Sequence, residues 1–399
     1  MATVQIGQFG FEISKFSATR WPFPLTSQRC LRPGSSRQLG REPSPEIIAI
    51  SKSSRRNGRL PEAGSLCSLA AEIRSQPVAR RANYTPMAKK IGLLFAGQGA
   101  QTVGMGKDLA DEFPVAAEMF TSADAILARK LTDVTWKGPI EELTKTSNCQ
   151  PALFVHGVAC LAVLREIAGN FPIDAAAGLS LGEMTAHAAA GTFDFENGLK
   201  LVQRRGELMD EACAATDGAM AAMIGADENS ARALAADADV DVANINSPGQ
   251  IVLSGERAKI EMAVALAKEH GIRRATMLNV AGAYHSRLME SAYEKLSEAL
   301  LEIEMQSPSF AVFSNVTGEA VTTLPEIRRT LQDQVTGTVR WVDCMEGMVG
   351  RGCDFFIELG PGGVLAGLLK RTNKDVEAIS VSDVESARNC AERLRSLQS

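Results

Sequence analysis

The stretch Gly178-Leu179-Ser180-Leu181-Gly182-Glu183 follows an apolar run, Ile173 to Leu179, and opens an alanine-rich segment, Glu183 to Ala190. Glycines two residues to either side of a serine permit a strand-to-helix turn too tight for side chains at those positions. The chain is therefore expected to pass from a buried strand into a helix across Ser180, with the hydroxyl projecting from the bend. Free N–H groups at the helix start would favour negative charge developing there. Ser180 is the candidate nucleophile; a tight glycine turn with an incidental serine is the competing reading.

Charge divides the chain. Residues 1–90 hold 15 Lys/Arg against 5 Asp/Glu, whereas the remainder holds 27 against 42. The leader is serine-rich, poor in acid, proline-bearing and without clear periodicity, which is the composition of an organelle transit peptide; residues 1–88 are assigned to it. No Arg-rich amphipathic helix opens it, so the chloroplast stroma is preferred to the mitochondrial matrix. A basic arm that binds nucleic acid or an acidic surface is the alternative. The acidic remainder argues against a nucleic-acid partner. No stretch is read as a membrane span. Beyond the leader the cysteines, Cys149, Cys160, Cys213, Cys344, Cys353 and Cys390, show no C-x-x-C or paired spacing, so no structural metal is expected and the compartment is taken as reducing.

Lys90 to Ala96 reads as a short strand running into Gly97-Gln98-Gly99-Ala100-Gln101, with a helix near Asp108. Nucleotide-binding readings of that loop fail. The third glycine of G-x-G-x-x-G is Thr102, and the glycine pair with P-loop spacing is followed by Met105 where lysine is required. Pro151 to Glu166 reads as a helix. Alternating buried strands and helices predict an α/β architecture with a mostly parallel sheet, formed by residues 89–217 and 281–399. Residues 218–280 have another rhythm: strands at 219–224, 240–246, 250–254 and 272–278, helices at 228–236 and 256–270, and a hairpin turn at Ser247-Pro248-Gly249. That β-α-β-β-α-β order predicts an inserted ferredoxin-like subdomain.

A serine nucleophile needs a base, and the chain has four histidines. His156 lies in an apolar helical run and reads as core. His187 sits in the helix after Ser180, turned away by helical phase. His270 precedes Gly271 at an expected helix end, where it would meet exposed carbonyls. His285 remains, in a small-residue segment at the junction of the two units. In the helix predicted over Phe195–Ala214, Arg205 falls on the apolar stripe of Leu201, Val202, Leu208, Met209 and Ala212, whereas Arg204 falls at the polar edge. A core-facing guanidinium needs an anion. Both a buried Arg–carboxylate pair and a substrate carboxylate meet that need.

Taken together, the motifs resemble those of malonyl-CoA:acyl-carrier-protein transacylases of type II fatty acid synthesis over essentially all the chain after the leader. They are Gly97 to Gln101, Gly178 to Glu183, Gln203-Arg204-Arg205-Gly206, Asn246-Ser247-Pro248-Gly249-Gln250, Val280 to His285, Gln334 to Trp341, and Glu358 to Gly362, in that order. The resemblance implies an α/β-hydrolase-like acyltransferase with a Ser180–His285 dyad. His285 would be oriented by the main-chain carbonyl of Gln334, with an oxyanion hole from the N–H groups of Gln98 and Leu181. Arg205 would hold the malonyl carboxylate, with Asn246 beside the substrate. It implies malonyl-CoA and acyl carrier protein as partners, phosphopantetheine carried by the latter, and no bound cofactor; the chain is expected to act as a monomer. Leu179 replaces the histidine usual before the nucleophile and Met184 a tyrosine, changes that bear on pocket packing or acyl preference, and Ala96 replaces a proline, which bears on the stiffness of the oxyanion loop. Gly360-Pro361-Gly362 reads as a turn from a strand to the last helix. A polyketide-type acyltransferase, a serine esterase or thioesterase and a catalytically silent carrier-binding scaffold are the alternatives; the esterase's upstream His-Gly-Gly type loop is missing.

Overall fold

The computed structural model describes residues 89–398, so the transit-peptide assignment to residues 1–88 lies outside the described residues. The chain opens with β1 (Lys90–Phe95), α1 (Lys107–Glu112), α2 (Pro114–Ile126), α3 (Leu131–Lys137), α4 (Ile140–Thr144) and α5 (Thr146–Ala168). Next come β2 (Ala175–Gly178), α6 (Leu181–Ala189) and α7 (Phe195–Ala214). The middle holds β3 (Gly218–Ile224), α8 (Glu228–Asp237), β4 (Asp241–Ser247), β5 (Gln250–Glu256), α9 (Arg257–Leu266) and β6 (Arg274–Met277). There follow α10 (Glu290–Glu302), β7 (Ala311–Phe313), β8 (Ala320–Val321), α11 (Leu324–Asp333) and α12 (Trp341–Gly350). Last are β9 (Cys353–Leu359), α13 (Val364–Thr372), β10 (Glu377–Val381) and α14 (Val384–Gln398).

Strands β10, β9, β1, β2 and β7 lie in that order, all parallel, with β8 antiparallel at the edge. Side chains of β1 alternate between two cores, as the two-residue period of a strand requires. Ile91, Leu93 and Phe95 pack with α2, α5, α6, α7 and α14; Leu94 packs with α12 and α13. Helices on both faces explain why these strands read as apolar runs. From β1 the chain moves outward through β2 to β7, then returns to the other side of β1 for β9 and β10. Such a reversal opens a crevice beyond the carboxyl ends of the strands, where α/β folds of this type bind ligands. Register brings three of those ends level: Phe95 pairs with Gly178 and with Leu359.

The inserted segment forms a second sheet, order β4-β5-β3-β6, antiparallel throughout. With α8 and α9 it has its own core, including Leu234, Leu253 and Ile260. The arrangement is consistent with the ferredoxin-like expectation. Helix α9 ends at Leu266, not residue 270: Gly271, at φ +73°, closes a run of tight turns there. His270 consequently meets Asp237 Oδ2 at 3.1 Å and not a row of helix carbonyls. The sheet's other side supplies Met220, Ala243 and Val252 to the large core, and β4 runs alongside Val339, donating from Ile245 N to its carbonyl at 2.9 Å.

Two expectations for the first half are corrected. The helix begun at Pro151 in the sequence starts at Thr146, with Pro151 inside it. Proline cannot donate to the carbonyl four residues earlier; here that carbonyl, Ser147 O, accepts from Arg129 Nη2 at 2.8 Å. The resulting α5 has 23 residues and is apolar enough to cross a membrane by length and composition, against the reading that no stretch is. In this fold 78% of its most apolar window is buried, as the central helix of the large core. The Gly360 turn leads to α13, and a further strand and α14 follow it.

Arg129 also donates to Asn148 Oδ1 and Gln203 Oε1, each at 2.7 Å, tying α5 to α7. R129M leaves Ser147 O without that donor, and urea denaturation should show a loss of about 1–3 kcal/mol, the worth of hydrogen bonds from a charged group. An unchanged midpoint would show that the carbonyl finds another donor.

Candidate active site

Ser180 stands between β2 and α6 with φ 54° and ψ −106°, a conformation costing a non-glycine residue about 1–3 kcal/mol. The flanking glycines are required by contact. A Cβ on Gly178 would collide with the carbonyl of Gly182, and one on Gly182 with the carbonyl of Phe95 at the end of β1. Neither peptide group of Ser180 joins the ladder of β2; side chains bind both. Its N–H donates to Asn315 Oδ1 at 2.6 Å, and its carbonyl accepts from Gln334 Nε2 at 3.0 Å. Asn315 Nδ2 in turn donates to Gly178 O at 2.9 Å.

His285 arrives from the junction of the two units, also at positive φ, 56°. Its Nδ1 lies 2.7 Å from the main-chain carbonyl of Gln334, which can only accept, so Nδ1 carries the proton. Nε2 is then the acceptor for the Ser180 hydroxyl at 2.8 Å. The ring is buried, and burial with the adjacent Arg205 cation lowers its pKa to about 4. It is neutral at physiological pH. Next to it, the Tyr284 hydroxyl meets Thr146 Oγ1 at 2.8 Å.

Arg205 is 1% exposed on the apolar stripe of α7, as its phase predicts, and Arg204 is exposed. Its Nη1 donates to Gln150 Oε1 at 2.7 Å; its Nη2 donates to Gln334 Oε1 at 2.9 Å and to Ser180 Oγ at 3.0 Å. Nε is buried without an acceptor, and no Asp or Glu among the described residues forms an ion pair with the guanidinium. Of the two readings left open by the sequence, the buried Arg–carboxylate pair is absent among the described residues. Burial pulls the guanidinium down to about 10, so it stays charged at neutral pH. The carboxyl group that acts on its charge is Glu183, fully buried and raised by burial to about 7. Glu183 Oε2 accepts from Asn315 N and from Gln334 Nε2.

The structure thus brings Ser180, His285, Arg205 and Gln334 into one hydrogen-bonded cluster. Leu181 is the first residue of α6, so its N–H has no acceptor within the helix. Gln98 lies in the turn after β1, where a Cβ on Gly97 would strike the carbonyl of Leu179, so this loop presses on the residue before the nucleophile. Asn246, near the end of β4, has a buried Oδ1 without a partner, and no hydrogen bond joins it to the cluster among the described residues. His156 binds Ser382 O at 3.0 Å and His187 binds Thr192 Oγ1 at 3.0 Å, both in the core. Leu179 is packed against the α12 and α13 core and Met184 is fully buried, so both departures are packing positions.

Sequence reasoning gave no role to Gln150, Glu183 or Asn315, or to the side chain of Gln334. Glu183 alone carried a signal, as a charge in an otherwise apolar segment, although an acid in a first helical turn is ordinary.

Residues 93–392 match the family model described as acyl transferase domain. A malonyl CoA-acyl carrier protein transacylase of Bacillus subtilis (strain 168) is 42% identical over 301 residues, 74% of this chain and 94% of that protein. One from Haemophilus influenzae is also 42% identical, over 75% of this chain and 97% of its own length. The chain belongs to the malonyl CoA-acyl carrier protein transacylase family. Solved structures agree. The acyl-carrier-protein S-malonyltransferase of Vibrio cholerae superposes with a TM-score of 0.73 at 39% identity, covering 76% of this chain and all of that one. A malonyl-transacylase solved with its type II PKS acyl-carrier protein gives 0.74 at 37%, over 76% of this chain and 100% of its own.

For this transacylase the lowered pKa of His285 has a kinetic signature. The base works only when neutral, so acylation of Ser180 should persist as pH falls through 6.5 and fail nearer 4. In R205M, without the cation, that limb should move upward. Single-turnover acylation from pH 4 to 8 measures both; a limb near 6.5, unmoved in R205M, would contradict the assigned electrostatics.

Proposed function

We propose that the chain transfers the malonyl group from malonyl-CoA to the phosphopantetheine thiol of acyl carrier protein through a malonyl-Ser180 intermediate. The observation that carries this reading is the charged, buried Arg205 with no carboxylate partner among the described residues, one hydrogen bond from the nucleophile's oxygen. An acyl group on Oγ bearing a carboxylate two carbons further on folds back onto the guanidinium, which offers it charge and the unused Nε–H.

The geometry supports the following steps. The Ser180 hydroxyl attacks the thioester carbon as its proton passes to His285 Nε2, whose Nδ1–H stays on Gln334 O. The oxyanion is received by the N–H groups of Leu181 and Gln98. Collapse expels the coenzyme A thiolate, which takes the proton from Nε2. The pantetheine thiol then gives its proton to Nε2 and attacks the malonyl ester, and Ser180 Oγ departs and recovers that proton. One thioester replaces another, with no oxidant or net proton needed. The dyad, Arg205 and Gln334 all come from a single chain, which supports action as a monomer. The basic, serine-rich residues 1–88 support import into a plastid; a fluorescent fusion of that segment found elsewhere would remove this part of the reading.

Incubation of the mature protein with malonyl-CoA alone should give a mass adduct that is absent in S180A and disappears on adding holo carrier protein. An adduct lost to water at the same rate without carrier would point to a hydrolase. H285A should form the adduct about 10²–10⁴-fold more slowly. R205M should lose malonyl transfer selectively while uncharged acyl groups are retained; equal losses would refute the carboxylate role.

A further inference from the structure

The Ser180 cluster contains one ionisable side chain that the transfer steps do not use. Glu183 is buried, lies three residues past the nucleophile, and touches neither Ser180 Oγ nor His285. Its Oε2 receives two N–H donors, Asn315 N and Gln334 Nε2, while its Oε1 is buried without a partner. Each of those donors belongs to a residue that grips the peptide groups of Ser180. Asn315 Oδ1 accepts the Ser180 N–H, and Gln334 Nε2 also donates to the Ser180 carbonyl.

The amide of Gln334 faces opposite demands at its two ends. Arg205 Nη2 can only donate, so it requires the amide oxygen; Ser180 O can only accept, so it requires the amide nitrogen. A carboxylate beside Nε2 adds a second acceptor on the same side, so a flipped amide would face two acceptors with its oxygen and Arg205 with its N–H groups. We propose that Glu183 is a positioning residue for the acyl-carboxylate site: by fixing the polarity of the Gln334 amide, it aims the Arg205 guanidinium at the substrate's carboxylate. The main chain of Gln334 serves the base and its side chain serves selectivity, so the two functions are separable by substitution. This inference rests on Arg205 as the partner of the malonyl carboxylate.

The test compares malonyl-CoA with acetyl-CoA in wild type, E183L, E183Q, Q334M and R205M, with labelling of Ser180 by an uncharged fluorophosphonate as a separate readout of the dyad. E183L should raise the KM for malonyl-CoA and lower the malonyl-to-acetyl ratio by about tenfold or more, the factor one hydrogen bond to a charged group is worth. Fluorophosphonate labelling should fall far less than malonyl transfer, because the contact from Gln334 to His285 is main-chain and Ser180 keeps its bonds to Asn315 Oδ1 and to the main-chain N–H of residue 183. E183Q still offers an oxygen to Asn315 N and Gln334 Nε2 and should return selectivity to within about threefold of wild type, as a neutral acceptor in place of a charged one. Q334M should repeat the E183L loss, and decides the matter if E183L does not fold. Equal losses of malonyl and acetyl transfer, or no change in the ratio, in the variant that folds would overturn the proposal. If R205M also leaves the ratio unchanged, the failure lies in the reading of Arg205; if R205M lowers it while E183L and Q334M do not, only the role of Glu183 falls.

Discussion

A guanidinium held inside the protein with no counter-ion among the described residues is the constraint around which this site is organised. Removing such a cation from water costs several kcal/mol even after relaxation, and a carboxylate in contact would be the direct remedy. The fold supplies neutral oxygens in its place: Gln150 Oε1, Gln334 Oε1 and the nucleophile's own Oγ. Glu183 stands one residue further away, across the Gln334 amide, where it contributes field without occupying the fork. A direct ion pair would satisfy Arg205 permanently and leave nothing for a substrate anion. The same uncompensated charge helps keep His285 unprotonated, so Arg205 and His285 are electrostatically coupled.

The nucleophile depends on close packing as much as on charge. Ser180 holds its positive φ because β2 and α6 carry almost no side-chain volume where they meet. Gly178 faces Gly182, Gly182 faces the end of β1, and β2 is otherwise Ala175, Ala176 and Ala177. That proximity orients the hydroxyl out of the bend and takes the Ser180 N–H out of regular pairing, while its carbonyl accepts the first helical bond, from Glu183 N at 3.1 Å. A buried N–H left unpaired would cost about 1–3 kcal/mol. Side chains reach both groups. Asn315 and Gln334 bind them, and both are themselves fastened to Glu183. A strained turn, a buried acid and two amides thus form one structural unit.

Much of this was legible from residue order. Helix α7 occupies the predicted Phe195–Ala214, and its stripe places Arg205 inside because helical phase is a local property. The strands of the inserted unit fall within about two residues of expectation for the same reason, since alternation and turn residues are local. What could not be read depends on partners far apart in the chain. Asn315 meets Ser180 across 135 positions and Gln334 meets Glu183 across 151. Pro151 misled for a related reason: a proline reads as a helix start unless a distant donor serves the carbonyl it abandons, and Arg129 does so from the loop between α2 and α3. The apolar length of α5 is likewise ambiguous in one dimension, and only the surrounding layers make it a core helix.

The inserted unit has a geometric part in catalysis although it contributes none of the four clustered side chains. It lies between α7, which carries Arg205, and the segment that carries His285, so its two ends fix how the base re-enters the crevice. Those ends are pinned to each other. Gly218, the first residue of β3, lies so close to Ala283 that a Cβ there would come within 2.6 Å of its N, and Leu278 N donates to Met220 O at 2.9 Å. A closed insertion leaves the chain nearly where it entered, whatever lies between, so the entropy of placing His285 is borne by the β3–β6 pairing and not by the active site. The dyad can therefore join residues 105 positions apart, with the re-entry held on one side by Ala283 against Gly218 and on the other by Arg287, whose N–H and guanidinium bind Asp241 of β4.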